Sequence, residues 1–251
     1  MYVGVDGCKG GWFAVALREK GKPEGKPFKT ITELWSAYKN ASLILIDIPI
    51  GLREGGPEER ERKERKCDKE ARAKLGQPRG SSVFPAPCRQ ALDEEDYGSA
   101  CSINERMTGR KLSKQSFCIM SKIRDVDNFL RANNSARQRI RETHPEICFW
   151  ALNGGSPMTG KKRSREGKEE RRCVLNRVRG GTAALMDDAK SERRGKGGSE
   201  DDVLDALAAA TTAKLAYPDG FQTLPGRPEK DSQHLPMQIV YCLRRGRGKR
   251  G

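Results

Sequence analysis

The sequence predicts an α/β protein in which acidic side chains lie at the ends of buried strands. Two apolar runs, residues 2–6 and 43–47, each stop on a single aspartate, Asp6 and Asp47. An alanine-rich helical segment near the C-terminus opens with three more aspartates: Asp201, Asp202 and Asp205. Short runs of Leu, Ile and Val are typical of strands buried on both faces, and a carboxylate at the end of such a strand needs a partner outside the hydrocarbon.

The first fifty residues predict three strands, one helix and a fourth strand. The first three strands are placed at residues 1–6, 12–18 and 27–29. The glycine-rich turn at 7–11 supplies the positive φ that a tight hairpin needs. Thr30 is placed as a helix N-cap because Glu33 follows it by three residues. The fourth strand covers residues 43–47 and ends before Pro49, which cannot donate to a central ladder.

A long, charge-rich segment separates this strand from the next apolar run. Residues 51–135 are predicted to be mostly helical, with helices at 58–75, 97–107 and 115–130. The SSVFPAP stretch at 81–87 is expected to be an ordered loop, because it combines proline with apolar side chains. After it, the sequence predicts a strand at 141–152, a basic surface helix at 158–179, a flexible stretch at 190–198 and a last helix capped by Ser199.

The length of 251 residues suits one large domain or one domain that carries a large insertion. We expect a single domain over residues 1–243 with an insertion at about 52–135, followed by a disordered basic tail at 244–251. The eight cysteines are scattered and form no C-x-x-C pair. Their spacing therefore indicates free thiols in a reducing compartment.

The composition points to a cytoplasmic protein that binds a polyanion. No stretch approaches the roughly 20 apolar residues that span a bilayer, and no signal-peptide pattern opens the chain. The net charge is +15 and the pI is near 9.6. Residues 109–141 contain nine Lys or Arg against two Asp, and five more Lys or Arg follow Tyr241. Such a field attracts nucleic acid, which we expect as the partner, with no membrane partner.

The pattern of carboxylates predicts a divalent-cation site. Asp202 and Asp205 are three residues apart and therefore share one helix face. The helix macrodipole explains acidic residues in the first turn, but not Asp205, which lies in an otherwise apolar stretch. Carboxylates at two strand ends and on one helix can hold Mg²⁺ or Mn²⁺ through oxygen ligands, as in a two-metal phosphoryl-transfer site. Each aspartate taken alone is also typical of a cap or a turn.

Several residues outside the aspartates are further candidates. Glu146 is either an additional ligand or base, or a structural carboxylate paired to an arginine. His144 can move a proton near neutral pH or can serve as a hydrogen-bonded structural residue. The candidates for binding the substrate are basic or titratable side chains: Lys9, Lys114, Lys122, Arg124 and His144.

Ordered motifs over most of the chain resemble a known family. They are VGVDGCKGGW, LILIDIPIGL, KCDKEARAKLG, SSVFPAP, LSKQ, KIRDVDNFLR, THPEICFWALNG and DDVLDALAAA. On these motifs, from Val3 to about Tyr241, the chain resembles the domain-of-unknown-function 429 group, a family of predicted nucleases assigned to the ribonuclease H-like fold. The resemblance implies a mixed five-stranded sheet whose first three strands are antiparallel. It also implies flanking helices, a large helical insertion after the fourth strand, and an acidic site near the middle of the sheet.

Within this fold, the placing of the aspartates is similar to that of Holliday-junction resolvases. In that branch, the acidic residues lie on the first strand, on the fourth strand and in a D-x-x-D pair on the last helix. Asp6, Asp47, Asp202 and Asp205 occupy the matching positions. The resolvases normally have a glutamate on the fourth strand, whereas this chain has Asp47, whose side chain is one methylene shorter.

The leading hypothesis is a metal-dependent nuclease that hydrolyses nucleic-acid phosphodiesters with two Mg²⁺ or Mn²⁺ ions. In it Asp6 bridges both ions, Asp47 holds one, and Asp202 or Asp205 holds the other. A second hypothesis is a nucleic-acid-binding protein without catalysis. A third, disfavoured because no second glycine-rich phosphate-binding turn is found, is a phosphotransferase related to actin and the sugar kinases.

Overall fold

The computed structural model describes residues 1–56, 63–179, 198–217 and 220–243, and its contacts group into two compact units. The first unit takes Met1–Asp47, the described part of Arg139–Gln222, and residues 240–243. The second unit takes the described part of Ile48–Gln138 together with Thr223–Ile239. The predicted tail at 244–251 and most of the predicted flexible stretch at 190–198 lie outside the described residues.

A five-stranded sheet forms the centre of the first unit, in the order β3-β2-β1-β4-β5. Its strands are β1 (Tyr2–Cys8), β2 (Gly11–Leu17), β3 (Glu24–Phe28), β4 (Leu43–Ile46) and β5 (Ile140–Glu142). β2 is antiparallel to both β1 and β3, while β4 runs parallel to β1 and β5 runs parallel to β4. This mixed sheet confirms the predicted ribonuclease H-like fold class.

The register of β1 and β4 brings Asp6 and Asp47 side by side. Val5 pairs with Ile46, and the backbone N–H of Asp47 donates to the Val5 carbonyl at 2.9 Å. Because side chains alternate along a strand, Gly4 and Asp6 project from the same face of β1. Asp47 follows β4 at the matching register position. The strands therefore deliver both carboxylates to neighbouring positions.

The last helix of the first unit, Glu200–Ala216, packs directly on the Gly4 face of β1. A Cβ added to Gly4 would lie 2.0 Å from the Ala206 carbonyl oxygen and 2.1 Å from the Ala210 nitrogen. Only a glycine on the strand and alanines on the helix permit such a close approach. The Tyr2 and Tyr217 rings, 5.5 Å apart, lie at the opposite end of this contact, so the helix begins near Asp6.

Both predicted N-caps of the first unit are present. The helix Ile31–Tyr38 begins after Thr30, whose Oγ1 accepts from the Glu33 backbone N–H at 3.1 Å. Ser199 and Asp202 form a capping box, in which each side chain accepts from the other residue's backbone N–H. Capping therefore fixes where these two helices start.

The strand predicted at residues 141–152 is wrong, because most of that run is a buried helix. The strand β5 ends at Glu142, and the helix Pro145–Leu152 follows. Pro145 lies in the first turn, where its missing N–H costs nothing, and the His144 side chain caps the helix by accepting from the Glu146 backbone N–H. An apolar run of this length does not by itself distinguish a buried helix from a strand.

The basic helix predicted at 158–179 is shorter and less exposed than expected. It spans Arg165–Arg179, and one side of it is buried through Val174 and Leu175. Two of its basic side chains, Lys168 and Arg172, pair with Glu200 at the start of the last helix. Lys168 Nζ lies 3.3 Å from a Glu200 carboxylate oxygen and 3.5 Å from one of Asp201. These charges therefore serve packing inside the unit.

The second unit is mostly helical, as predicted for the insertion. Its helices are Lys66–Arg79, Tyr97–Thr108, Lys114–Cys118, Met120–Ala132 and Asn134–Arg139. The last residue of the last helix, Arg139, already belongs to the first unit. Two 3₁₀ turns, Gly80–Ser82 and Arg89–Asp93, complete its regular structure before the final hairpin. The helix predicted at 58–75 begins at Lys66, and positions 57–62 lie outside the described residues.

Ion pairs hold the second unit together internally. Arg89 binds both carboxylate oxygens of Asp127, at 3.1 and 3.0 Å, and one oxygen of Asp231 at 2.5 Å. Buried Arg65 pairs with Asp68, and an oxygen of Asp68 also accepts from the Ala86 backbone N–H at 3.1 Å. The last contact orders the SSVFPAP loop, as the sequence predicted.

The hairpin β6 (Gln222–Lys230) and β7 (Pro236–Tyr241) forms a separate two-stranded sheet that the sequence analysis did not predict. Within the first unit, the Val240 carbonyl accepts from Thr143 Oγ1 at 2.7 Å. All eight cysteines are free thiols. None of the described helices has the length and apolar character needed to cross a bilayer.

Gly4→Ala tests the close contact between β1 and the last helix. The new methyl group would overlap backbone atoms of Ala206 and Ala210, which cannot move independently of the helix. We expect a loss of about 3 kcal/mol or more in the free energy of unfolding, measured by urea denaturation. Gly226→Ala is the matched control, since a Cβ there meets nothing within 4 Å. Equal stability of both variants would contradict the contact.

Candidate functional site

Three carboxylates from separate parts of the first unit meet at one end of the sheet. Asp6 belongs to β1, Asp47 follows β4, and Asp205 lies on the second turn of the last helix. Asp6 is 7% exposed and Asp205 only 1% exposed. Each of Asp47 and Asp205 raises the pKa of Asp6 by its charge, which places the three groups within electrostatic reach of one another.

Burial and mutual repulsion make the ionised cluster unfavourable. Burial raises the pKa of Asp6 well above its usual range, and the charges of Asp205 and Asp47 raise it further. Burial also raises the pKa of Asp47, although a hydrogen bond to Asp6 opposes that shift.

Asp205 is buried with an incompletely satisfied carboxylate. Burial raises its pKa to about 6, against the opposing charge of Lys162. Its Oδ2 forms an ion pair with Lys162 Nζ, whereas its Oδ1 has no hydrogen-bond partner among the described residues. A buried carboxylate oxygen without a donor is costly, and a cation bound beside it would remove that cost.

Lys162 was missed by the sequence analysis. It lies in the turn that precedes the helix Arg165–Arg179, and its side chain remains 42% exposed while its ammonium reaches Asp205. The charges of Asp205 and Asp6 raise the pKa of this lysine, so it stays a cation. No sequence signal distinguishes Lys162 from its basic neighbours in the stretch GKKRSREGK.

Glu146 and His144 lie at the start of the helix Pro145–Leu152, where His144 is the N-cap and Glu146 belongs to the first turn. Glu146 is paired to buried Arg171, the arginine partner that the sequence analysis named as one alternative, while Glu146 Oε2 has no hydrogen-bond partner among the described residues. His144 Nδ1 accepts from the Glu146 backbone N–H at 3.2 Å, so the neutral ring carries its proton on Nε2. The charge of Glu146 adds to the larger effect of burial in raising the pKa of Asp47.

Asp202 contributes to the site and to the helix cap at once. Its Oδ2 accepts from the Ser199 backbone N–H at 2.5 Å, which commits one oxygen to the capping box. Its charge also raises the pKa of Asp6, though less than the charges of Asp205 and Asp47. Asp202 therefore lies at the margin of the cluster.

The predicted substrate-binding lysines and arginine are spread over both units. Lys9 is exposed in the turn between β1 and β2 of the first unit. Lys114, Lys122 and Arg124 belong to helices of the second unit, where Arg124 donates to the Leu92 carbonyl at 3.1 Å. Their role toward a substrate stays a prediction.

A buried thiol beside the cluster is chemically inert. Burial raises the pKa of Cys148 to about 11, and the charges of Asp47 and Asp205 act in the same direction. Its sulfur lies 3.1 Å from Thr143 Oγ1. A thiol held in its protonated form is a poor nucleophile.

A protein-family model matches most of the chain. The chain belongs to DUF429, a family described as "Protein of unknown function", whose model matches residues 4–230. The match includes Asp6, Asp47 and Asp205 and all the other predicted site residues. No curated protein and no solved structure matches the chain.

The raised pKa of Asp205 predicts how stability depends on pH. Between about pH 4 and 6, the folded protein keeps a proton on Asp205 that the unfolded chain has already released, so stability falls as pH rises through this window. Without divalent ions, the free energy of unfolding of wild type minus that of Asp205→Asn should fall by about 2 kcal/mol between pH 4 and 7.

Denaturant titrations at each pH give this difference directly. Asp205→Asn also loses the ion pair with Lys162, which changes its free energy of unfolding by an amount that does not vary between pH 4 and 7. The pH dependence of the difference, and not its size, therefore reports the titration of Asp205. Asp93→Asn, at an exposed position, is the control and should track the wild type. A difference between wild type and Asp205→Asn that does not change with pH would contradict the burial of an acidic cluster.

Proposed function

We propose that the protein hydrolyses phosphodiester bonds of nucleic acid with the help of divalent metal ions. The observation that carries this proposal is the convergence of Asp6, Asp47 and Asp205 at one end of the sheet, where Asp205 Oδ1 is buried and has no hydrogen-bond partner in the part of the chain that the structure describes. A protein gains nothing in stability from gathering carboxylates in this way. Such an arrangement is explained by a cation that the three side chains bind together.

The donor set fits a hard divalent cation. All three side chains offer carboxylate oxygens, which Mg²⁺ and Mn²⁺ prefer over nitrogen or sulfur. The charges of both Asp205 and Asp47 act on Asp6, which fits the bridging role that the sequence suggests for it. Asp202 and Glu146 are already engaged with Ser199 and Arg171, so they act as outer members of the set.

In the proposed reaction, the bound ions and the residues of the chain have different roles. When bound, two Mg²⁺ or Mn²⁺ ions would lower the pKa of an attacking water and stabilise the leaving oxygen. Asp6, Asp47 and Asp205 would hold and orient them. His144, with its proton on Nε2, is suited to donate a hydrogen bond toward the reacting phosphate.

The charge of the chain favours nucleic acid as the substrate. A net charge of +15 attracts a polyanion strongly and makes its binding fall with rising salt. Lys9, Lys114, Lys122 and Arg124 are the proposed contacts to backbone phosphates. A small phosphate ester would gain much less from so extended a positive field.

One observation favours a second candidate function. The ion pair between Lys162 and Asp205 already neutralises one carboxylate without a metal. This pairing suits a nucleic-acid-binding protein that has lost catalysis and keeps the cluster as a structural remnant. Cleavage assays separate the two functions, because this second candidate binds nucleic acid but does not cut it.

Asp6→Asn tests the nuclease function. The substitution keeps the shape of the side chain and removes the charge that would bridge the ions. We expect Mg²⁺- or Mn²⁺-dependent cleavage to fall about 100-fold or more, since several kcal/mol of charge stabilisation are lost. The assay should cover single-stranded, duplex, hybrid and branched DNA and RNA, with Asp93→Asn as control. Unchanged cleavage by a folded Asp6→Asn variant would rule out the proposed site.

Metal binding should also stabilise the fold. A ligand at 100 times its dissociation constant stabilises the folded state by about 2.7 kcal/mol, which corresponds to a rise in melting temperature of roughly 5–10 °C for a chain of this size. Asp47→Asn should raise the metal-free melting temperature, because it removes one like charge, and should weaken the response to Mn²⁺. A wild-type melting temperature that millimolar Mn²⁺ leaves unchanged would contradict metal binding.

A further inference from the structure

Among the described residues of the first unit, Lys162 is the one cation that forms an ion pair with the central aspartates Asp6, Asp47 and Asp205. Its Nζ pairs with Asp205 Oδ2, and its charge also lowers the pKa values of Asp6 and Asp47. Arg171, the other buried cation nearby, is paired to Glu146 instead. Lys162 therefore takes a position beside Asp205 that a bound metal ion would otherwise occupy.

The position of Lys162 in the chain allows it to leave. It belongs to a turn at residues 161–164 and not to a helix, and its side chain is 42% exposed although its partner Asp205 is 1% exposed. Rotation about side-chain bonds can carry the ammonium from the cluster into solvent without moving a backbone element. Arg171, at 1% side-chain exposure and bound also to the Gly167 carbonyl, has no such freedom.

Charge balance limits how many ions the cluster accepts while Lys162 is present. Fully ionised, Asp6, Asp47 and Asp205 carry three negative charges, and Lys162 brings one positive charge. One divalent ion neutralises the remainder. A second divalent ion would then meet a neutral site and the nearby ammonium, and like charges at such range oppose binding.

We infer that Lys162 holds the second cation position of the site in the substrate-free protein, so that the two ions load in order. This inference rests on the proposed function. The first ion binds beside Asp6 and Asp47. The second ion enters beside Asp205 only when Lys162 moves away, which a substrate phosphate favours because it supplies negative charge both to the ion and to the released ammonium. A complete two-ion site therefore forms only on substrate.

Mn²⁺ binding without substrate tests this order. Calorimetric titration counts the ions, and electron paramagnetic resonance distinguishes an isolated Mn²⁺ from a coupled pair about 3.5–4 Å apart. Wild type should bind one ion tightly and give the isolated signal. Lys162→Met should bind a second ion at least 10-fold more tightly than wild type does and give the coupled signal. Lys162→Arg should behave as wild type.

The matched control is Lys161→Met, which removes the same charge from an exposed neighbour and should leave one tight ion. Two tight ions in the wild type, or an unchanged count in folded Lys162→Met, would overturn the inference while leaving metal binding intact. The wild-type count decides even if Lys162→Met does not fold. Absence of Mn²⁺ binding in the wild type and in the variants would overturn the proposed function and this inference together.

Discussion

The contact between Gly4 and the last helix determines where the acidic site lies. Because β1 has no side chain at Gly4, the backbone around Ala206 and Ala210 approaches the strand as closely as two main chains can. The helix can take that position only with small residues on its contact face. Asp205 precedes Ala206, and Asp6 lies two residues beyond Gly4 on the same strand face. The packing that stabilises the sheet therefore also places a helix carboxylate over two strand carboxylates.

The same packing creates an electrostatic cost that nearby cations only partly offset. Burial and mutual repulsion raise the pKa values of Asp6, Asp47 and Asp205. Lys162 pairs with Asp205 and Arg171 pairs with Glu146, yet Asp205 Oδ1 keeps no hydrogen-bond partner among the described residues. Natural proteins retain such unfavourable arrangements where function requires them. The unfavourable energy of the free cluster is the reason why we propose a divalent cation as its partner.

The sequence predicted the parts of this site that depend on local rules. The positions of Asp6 and Asp47 follow from short apolar runs, although β1 continues past Asp6 to Cys8 instead of ending there. The start of the last helix follows from the Ser199 cap. The helix Pro145–Leu152 was taken for a strand, because burial on all sides removes the periodicity that separates the two. The Lys162 pairing was not predictable, since it depends on how a turn packs in three dimensions and not on any local pattern.

The most direct test of the account is the location of a bound ion. Crystals of the wild-type protein grown with Mn²⁺ and measured for anomalous scattering would show manganese as a distinct peak. The account predicts that peak beside the carboxylates of Asp6 and Asp47, where the first ion binds, at distances of roughly 2.0–2.3 Å from their oxygens. A manganese peak only at other carboxylates, or no peak in a structure that preserves the Gly4 contact, would contradict the claim that this packing builds a metal site.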